Sequence, residues 1–246
     1  MATVNIALQN QTTSSTVYAY ITGQALDNKN ALFLLQSDGK THYFPTSPPS
    51  TGSPLTENCA IPLGAPGNTV TVTVPHLAGS RIWFSVDSTL TFLLNPGPAL
   101  VEPSVTNPSD PNINGSWDFC EFTFNDAQLF VNVSYVDFVC LPISLTLTNT
   151  SGATQHVTGM GNNGLDTVCS SLAAQDASDH AGWSSLIVKN PSGRNIRALS
   201  PNNGIVLNNN LFANYFEPYV AQVWRTYQNQ PLSIDTQAQW GTVTGQ

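Results

Sequence analysis

Cationic residues are scarce in this sequence. Only 7 of 246 residues are Lys or Arg, against 15 Asp or Glu, so charged side chains make up 9% of the chain and the formal net charge is −8. An average soluble domain carries about 25% charged residues. So few cations cannot match a phosphate backbone, which excludes nucleic acid as a partner. No apolar run reaches the roughly 18 residues of a spanning helix, so no membrane partner is expected. The spacings CxxC, HExxH, GxSxG and the EF-hand loop are all missing, which removes the usual signatures of structural zinc, metalloprotease, α/β-hydrolase and calcium-loop chemistry. The run Gly159-Met160-Gly161-Asn162-Asn163-Gly164 lacks the Lys of a phosphate loop and reads as a turn. No metal and no cofactor are expected. The first ten residues, Met1 to Asn10, show neither the basic nor the apolar region of a secretory leader.

What is present is a chain 41% hydrophobic, with 17 Gly and 17 Pro. It is long enough to bury a real core, and its turn residues imply many short elements. Ser, Thr, Asn and Gln wet the surface in place of charge. Four cysteines, Cys59, Cys120, Cys140 and Cys169, fit two disulfides or four buried thiols equally well. The four histidines, His42, His76, His156 and His180, have no ligand spacing and read as surface or loop residues.

Period-two alternation marks strands at Val4–Leu8, Val17–Ile21 and, most cleanly, Thr69-Val70-Thr71-Val72-Thr73-Val74. Further strands are expected over 32–35, 81–86, 91–94, 119–124, 129–139 and 143–147. Prolines 96, 98, 103, 108 and 111 mark a long irregular loop. Residues 1–150 therefore read as an all-β barrel or sandwich. After Asn149-Thr150-Ser151-Gly152 the pattern changes. Helical spacing covers 165–174 and 211–227, with Pro218 starting or kinking the second helix. Short strands are expected near 185–188 and 198–199, so 151–246 reads as a mixed α/β unit.

Carboxylates are the remaining chemistry. Asp38, Asp110, Asp126 and Asp166 suit turns, a loop, a hairpin tip and a helix cap. Glu121 and Asp137 differ, because both sit among aromatic and apolar strand residues, where a carboxylate carries a desolvation cost. Glu121, Thr123 and Asn125 share one strand face; Phe122 and Phe124 share the other. A polar face beside an aromatic wall suits a sugar; a wet edge strand fits the same pattern. A two-residue hairpin about Asp126 and Ala127 sets Glu121 opposite Asn132 and turns Asp137 to the other face. A three-residue loop or bulge pairs Glu121 with Val133 and leaves Asp137 about 13 Å along the strand at ~3.3 Å per residue. An inverting glycosidase needs its carboxyls roughly 6.5–9.5 Å apart.

The stretch Glu121-Phe122-Thr123-Phe124-Asn125 through Asn132-Val133-Ser134-Tyr135-Val136-Asp137 resembles the active-site region of glycoside hydrolase family 64. Supporting segments are Phe92-Leu93-Leu94-Asn95-Pro96-Gly97, Leu199-Ser200-Pro201-Asn202, Tyr219 to Trp224, Ile234-Asp235-Thr236-Gln237 and Trp240-Gly241-Thr242-Val243-Thr244-Gly245. The match covers most of the chain, and its style resembles fungal members. The resemblance implies a mainly β protein, a thaumatin-like β-barrel or sandwich with a second, mixed α/β domain. It implies an endo-acting β-1,3-glucan hydrolase with an inverting mechanism. Glu121 matches the family's general acid and Asp137 its general base. Thr123, Asn125, Phe130 and Ser134 match groove residues. The implied partner is a β-1,3-glucan of the fungal cell-wall type, met by a monomer outside the cell. Family chains continue past the point equivalent to Gln246, so this one is expected to be C-terminally short, with its barrel open. The alternatives are a non-catalytic β-1,3-glucan-binding protein and a structural β protein.

Overall fold

The cleanest alternation in the chain builds the simplest sheet. In the computed structural model, which describes residues 2–245, strand β1 (Val4–Gln9) pairs antiparallel with Thr69–Val74, setting Val4, Ile6 and Leu8 opposite Val74, Val72 and Val70. The apolar residues of the Thr-Val repeat turn inward and its threonines outward, as period two requires. In chain order the other strands of the first half are β2 (Val17–Ala25), β3 (Ala31–Leu35), β4 (His42–Tyr43), β5 (Ser53–Pro54) and β6 (Ile61–Pro62). Next come β7, which is Thr69–Val74 itself, β8 (Leu77–Val86), β9 (Leu93–Asn95), β10 (Ala99–Val101), β11 (Ser116–Phe124) and β12 (Leu129–Val133).

A seven-stranded antiparallel sheet in the order β12-β11-β8-β2-β3-β4, with β6 also on β2, positions everything else. Its two faces are both covered. One face sends Ile21, Phe33, Ile82 and Phe122 into a core with Leu8, Val72 and Val74 of the β1–β7 pair. The other carries Tyr20, Leu34, Trp83, Trp117 and Phe119. These rings pack edge and tilt, with Trp83 to Phe119 at 4.9 Å and Trp117 to Phe138 at 4.9 Å between centroids. Sheet order ends at β12 and β4, so among the described residues this sheet does not close. Of the two expected forms, barrel or sandwich, the closed barrel is not formed among the described residues; the sheets stay open, ending in short strands.

The second half adds β13 (Phe138–Val139), β14 (Leu145–Thr148), β15 (Thr154–Val157), helix α1 (Gly164–Asp179), β16 (Ile187–Lys189), β17 (Asn195–Leu199), α2 (Pro201–Leu207), α3 (Glu217–Tyr227), β18 (Leu232–Asp235) and β19 (Thr242–Gly245). Strands β13, β17 and β16 form one small sheet, and β14–β15 and β18–β19 are hairpins. Leu186, Leu199, Leu211 and Phe212 join the aromatic core of the large sheet, so residues on both sides of position 150 share it.

Two expected elements differ in extent, and one helix was not expected. The run 129–139 is not one strand: β12 stops at Val133, residues 134–137 bend away, and β13 resumes at Phe138. The helix expected from Leu211 begins only at Glu217, with Pro218 in its first turn, where a missing N–H costs nothing. Helix α2 follows Ser200, whose Oγ accepts the Asn203 N–H as a cap, with Pro201 next. His76, read as a surface or loop residue, lies in the β7–β8 connection but is buried, because it packs edge-on against Phe124 at 4.8 Å and hydrogen-bonds Asp27. All four cysteines are free and buried, which decides between the two cysteine readings. Burial pushes the Cys59, Cys120 and Cys140 thiols up to about 12.

A β-bulge in β8 gives the sheet its local bend. Register against both β2 and β11 shifts there, and Gly79 takes φ 55°, a left-handed backbone that glycine adopts without strain. Opposite the bulge, a Cβ on Gly23 would stand 2.4 Å from the Ser80 hydroxyl oxygen, so the two strands need glycine to approach as they do.

Candidate active site

Strand β11 alternates between the two cores. Cys120 and Phe122 enter one, while Trp117 and Phe119 enter the other. Along the second face the burial fades toward the hairpin, and Glu121 and Thr123 emerge half-exposed. Cross-strand register then makes a row. Thr22 on β2, Arg81 on β8, Glu121 on β11 and Asn132 on β12 lie side by side. In the next pair Thr123 meets Phe130, which is 56% exposed. Polar groups and an open aromatic ring therefore stand beside the Trp83–Phe119 wall on a single face.

The hairpin has the two-residue loop at Asp126 and Ala127, with Glu121 opposite Asn132. The face argument based on that register does not carry to Asp137, because the strand is interrupted after Val133. The chain instead turns through 134–137 and returns to the β11 edge. There the Asp118 carboxylate accepts the N–H groups of Cys140 and Leu141, each at 2.9 Å, and of Phe119 at 2.9 Å. The Phe138 ring lands against Trp117 and Phe119, on the face that carries Glu121. Asp137 precedes it directly, with an exposed side chain. Its carbonyl oxygen accepts the Ser200 N–H at 2.8 Å and the Asn203 side-chain N–H at 2.9 Å, which ties this corner to the start of α2.

Thr123 thus follows Glu121 on the same strand face, and Phe130 is brought there by pairing with Thr123. Asn125 sits at the hairpin corner, where its side-chain oxygen accepts the Ala127 and Gln128 N–H groups. That side chain builds the turn. Ser134 lies in the bend just past Asn132.

Charge is concentrated around Arg81. Its Nη1 donates to Glu102 Oε2 at 2.6 Å and its Nε to Glu121 Oε1 at 3.3 Å. The guanidinium lies 4.5 Å from the Phe119 ring centroid and 5.3 Å from that of Trp83, a stacked cation–π position. Burial raises the Glu102 carboxyl above the usual range, Arg81 opposes that rise, and the nearby Glu121 adds to it. Among the described residues no group of three or more His, Cys, Asp or Glu is placed to hold a metal ion.

The acid buried most deeply in this strand is Asp118, which sequence reasoning passed over. Burial pushes its carboxyl up to about 7, against three backbone N–H donors and the charge of Arg197. Arg197 is itself buried, donates to the carbonyls of Ile113 and Gly115, and lies over Trp117 at 5.4 Å. A carboxylate flanked on both sides by aromatic residues, Trp117 and Phe119, was the signal available. A shallow apolar groove along α3, lined by Phe212, Phe216, Val220 and Trp224, contains neither Glu121 nor Asp137.

Comparison with known proteins agrees with the resemblance. The Glyco_hydro_64 family model, described as beta-1,3-glucanase, matches residues 2–246. A glucan endo-1,3-beta-glucosidase of Arthrobacter sp. (strain YCWD3) is 30% identical over 165 residues, which is 67% of this chain and 29% of that protein. A solved laminaripentaose-producing beta-1,3-glucanase in complex with laminaritetraose superposes with a TM-score of 0.83 at 28% identity, covering 96% of this chain and 62% of that one. A beta-1,3-glucanase domain (GH64) from Clostridium beijerinckii, at 18% identity and a TM-score of 0.69, shares the fold over 98% of this chain and 65% of its own. The named relatives are bacterial, whereas the sequence style pointed to fungal members. The chain spans under a third of the curated relative's length and about three-fifths of the solved chain's. By its match from residue 2 to residue 246, the chain belongs to the Glyco_hydro_64 family of β-1,3-glucanases.

Proposed function

We propose that this chain is an endo-acting β-1,3-glucan hydrolase that works with inversion. Glu121 is the general acid and Asp137 the general base. The observation that carries the reading is the row on one face of β11 and β12: Glu121, then Thr123 paired with the exposed Phe130, in a chain that matches a β-1,3-glucanase family throughout. The protein crystallised with laminaritetraose supports a β-1,3-linked oligosaccharide as the ligand class.

In this reaction the Glu121 carboxyl passes its proton to the glycosidic oxygen as the bond from C1 to that oxygen breaks. The exposed Asp137 carboxylate takes a proton from a water whose oxygen bonds to C1 from the opposite side. Phe130 offers an apolar plane to ring C–H groups, and Thr123 and Ser134 offer hydroxyls to the sugar. Asn125 acts by shaping the hairpin. The chain is read as a thaumatin-like β part through about residue 150 and a mixed α/β part over 151–246, packed through the Trp83 and Trp117 core. An extracellular, cell-wall-directed monomer fits an insoluble glucan substrate, and the fungal-type affiliation rests on sequence style.

Hydrolysis of a linear β-1,3-glucan, with the anomer of the new reducing end followed by NMR, tests the reading. Glu121→Gln and Asp137→Asn are each expected to lower kcat by roughly 10²- to 10⁴-fold with the fold retained. Products that first appear as the β-anomer would refute inversion, and full activity in Glu121→Gln would refute the assignment. Glucan retention without product release would favour a binding protein.

A further inference from the structure

Among the described residues Arg81 is the guanidinium that contacts Glu121, and it is shared unequally. Its bond to Glu102, at 2.6 Å, is shorter than its contact with Glu121, at 3.3 Å. Two rings, Phe119 and Trp83, lie under the guanidinium at 4.5 and 5.3 Å from its carbon, which favours keeping it between the two acids. Glu102 follows directly on β10, in a different sheet from Arg81 and Glu121. From β12 the facing residue is the neutral Asn132. The charges meeting Glu121 on its face are therefore Arg81 and, through it, Glu102.

We propose that Arg81 and Glu102 are a positioning pair for Glu121: Glu102 holds one edge of the stacked guanidinium, so that Nε fixes Oε1 of Glu121 and leaves its second carboxyl oxygen for the sugar. This rests on Glu121 being the general acid. A guanidinium engaged only by Glu121 would favour the ionised acid, whereas a general acid must begin protonated. Glu102 offsets that pull by taking the shorter hydrogen bond. Because only the planar fork presents donors on two edges while stacking on rings, a lysine at position 81 does not substitute. Protonation of Glu102, whose carboxyl burial already raises, releases its edge of Arg81 and alters the contact with Glu121.

The chain has only four glutamates, Glu57, Glu102, Glu121 and Glu217, so carboxyl carbon-13 NMR of the intact protein follows each of them. The Glu121 resonance is expected to show an inflection at the pH where Glu102 titrates, which Glu57 and Glu217 lack. A Glu121 curve without that inflection overturns the pairing in the wild-type protein, with no variant needed. In the glucan assay Glu102→Ala is expected to lower kcat by up to about 10²-fold, the loss a misaimed group can cause, with KM unchanged within about twofold. Glu102→Gln, which keeps an oxygen for Nη1 but loses the charge, as the protonated acid does, should recover only part of that loss, and Arg81→Lys should fall as far as Glu102→Ala. Wild-type kcat in a folded Glu102→Ala protein, or a loss carried by KM alone, would overturn the proposal. Glu121→Gln separates the two ideas: if it stays active, the general-acid reading fails; if it is inactive while Glu102→Ala matches wild type, only the positioning pair fails.

Discussion

Strand β11 and helix α3 are both rich in aromatic residues, and they meet opposite fates. The strand buries Trp117, Asp118, Phe119, Cys120 and Phe122, while no residue of α3 is buried and Tyr219 and Trp224 stand 67% and 64% exposed. Both have apolar residues at the period of their element. The strand has β8 on one side, β12 on part of the other, and a core on each face. The helix has an open groove. Periodicity therefore decides what an element is, and partner surfaces decide what it buries. Stability and site geometry should follow the second.

That contrast can be broken by mutation, and the largest effect belongs to the aromatic core. Trp117→Ala removes a ring packed on Trp83 and Phe138 and is expected to cost about 3–5 kcal/mol in urea unfolding. A cost below about 1 kcal/mol would show that this core is looser than its ring contacts imply.

The next effect is a pH dependence confined to the strand. Asp118 has its carboxyl raised from 3.8 to about 7, so the folded state binds its proton more tightly than the unfolded chain. Its contribution is fully present below pH 3.8 and is lost as pH rises through about 7. The advantage of wild type over Asp118→Asn in thermal midpoint should shrink across that window. An advantage that grows with pH would mean that the three N–H donors and Arg197 outweigh burial.

Smaller again is Gly23→Ala. The added carbon meets the Ser80 hydroxyl at the bulge, and overpacking of this kind costs about 1–3 kcal/mol. Trp224→Ala closes the series from the other region, with an expected change within about 0.5 kcal/mol. A larger loss would mean that α3 has a partner surface after all.

Much of the first half was legible. The threonine-valine alternation of β7 and the faces of Glu121, Thr123, Phe122 and Phe124 follow from a period of two, which depends only on backbone geometry. The β11–β12 register followed from a two-residue loop, one of two options the residues allowed. Asp137 was harder to place, because an uninterrupted strand was read through a bend that starts at Ser134. Asp118 was missed although it neighbours two aromatic residues, since its partners, the N–H groups of Cys140 and Leu141 and the side chain of Arg197, lie 22 or more residues away. His76 was missed for the same reason: Asp27 is 49 residues distant.

By itself the sequence determined the scarcity of cations, the strand alternation, the presence of a helix through Tyr219 to Tyr227, and a pair of carboxylates worth testing. These depend on composition, on local backbone periods and on φ restrictions, all of which act within a few residues. Only the tertiary structure decided that Arg81 stands between Glu121 and Glu102, that Asp118 anchors the corner carrying Asp137, and that the cysteines are four separate thiols. Those outcomes depend on which distant segments share a face, and burial and electrostatics act on neighbours in space, whatever their separation along the chain.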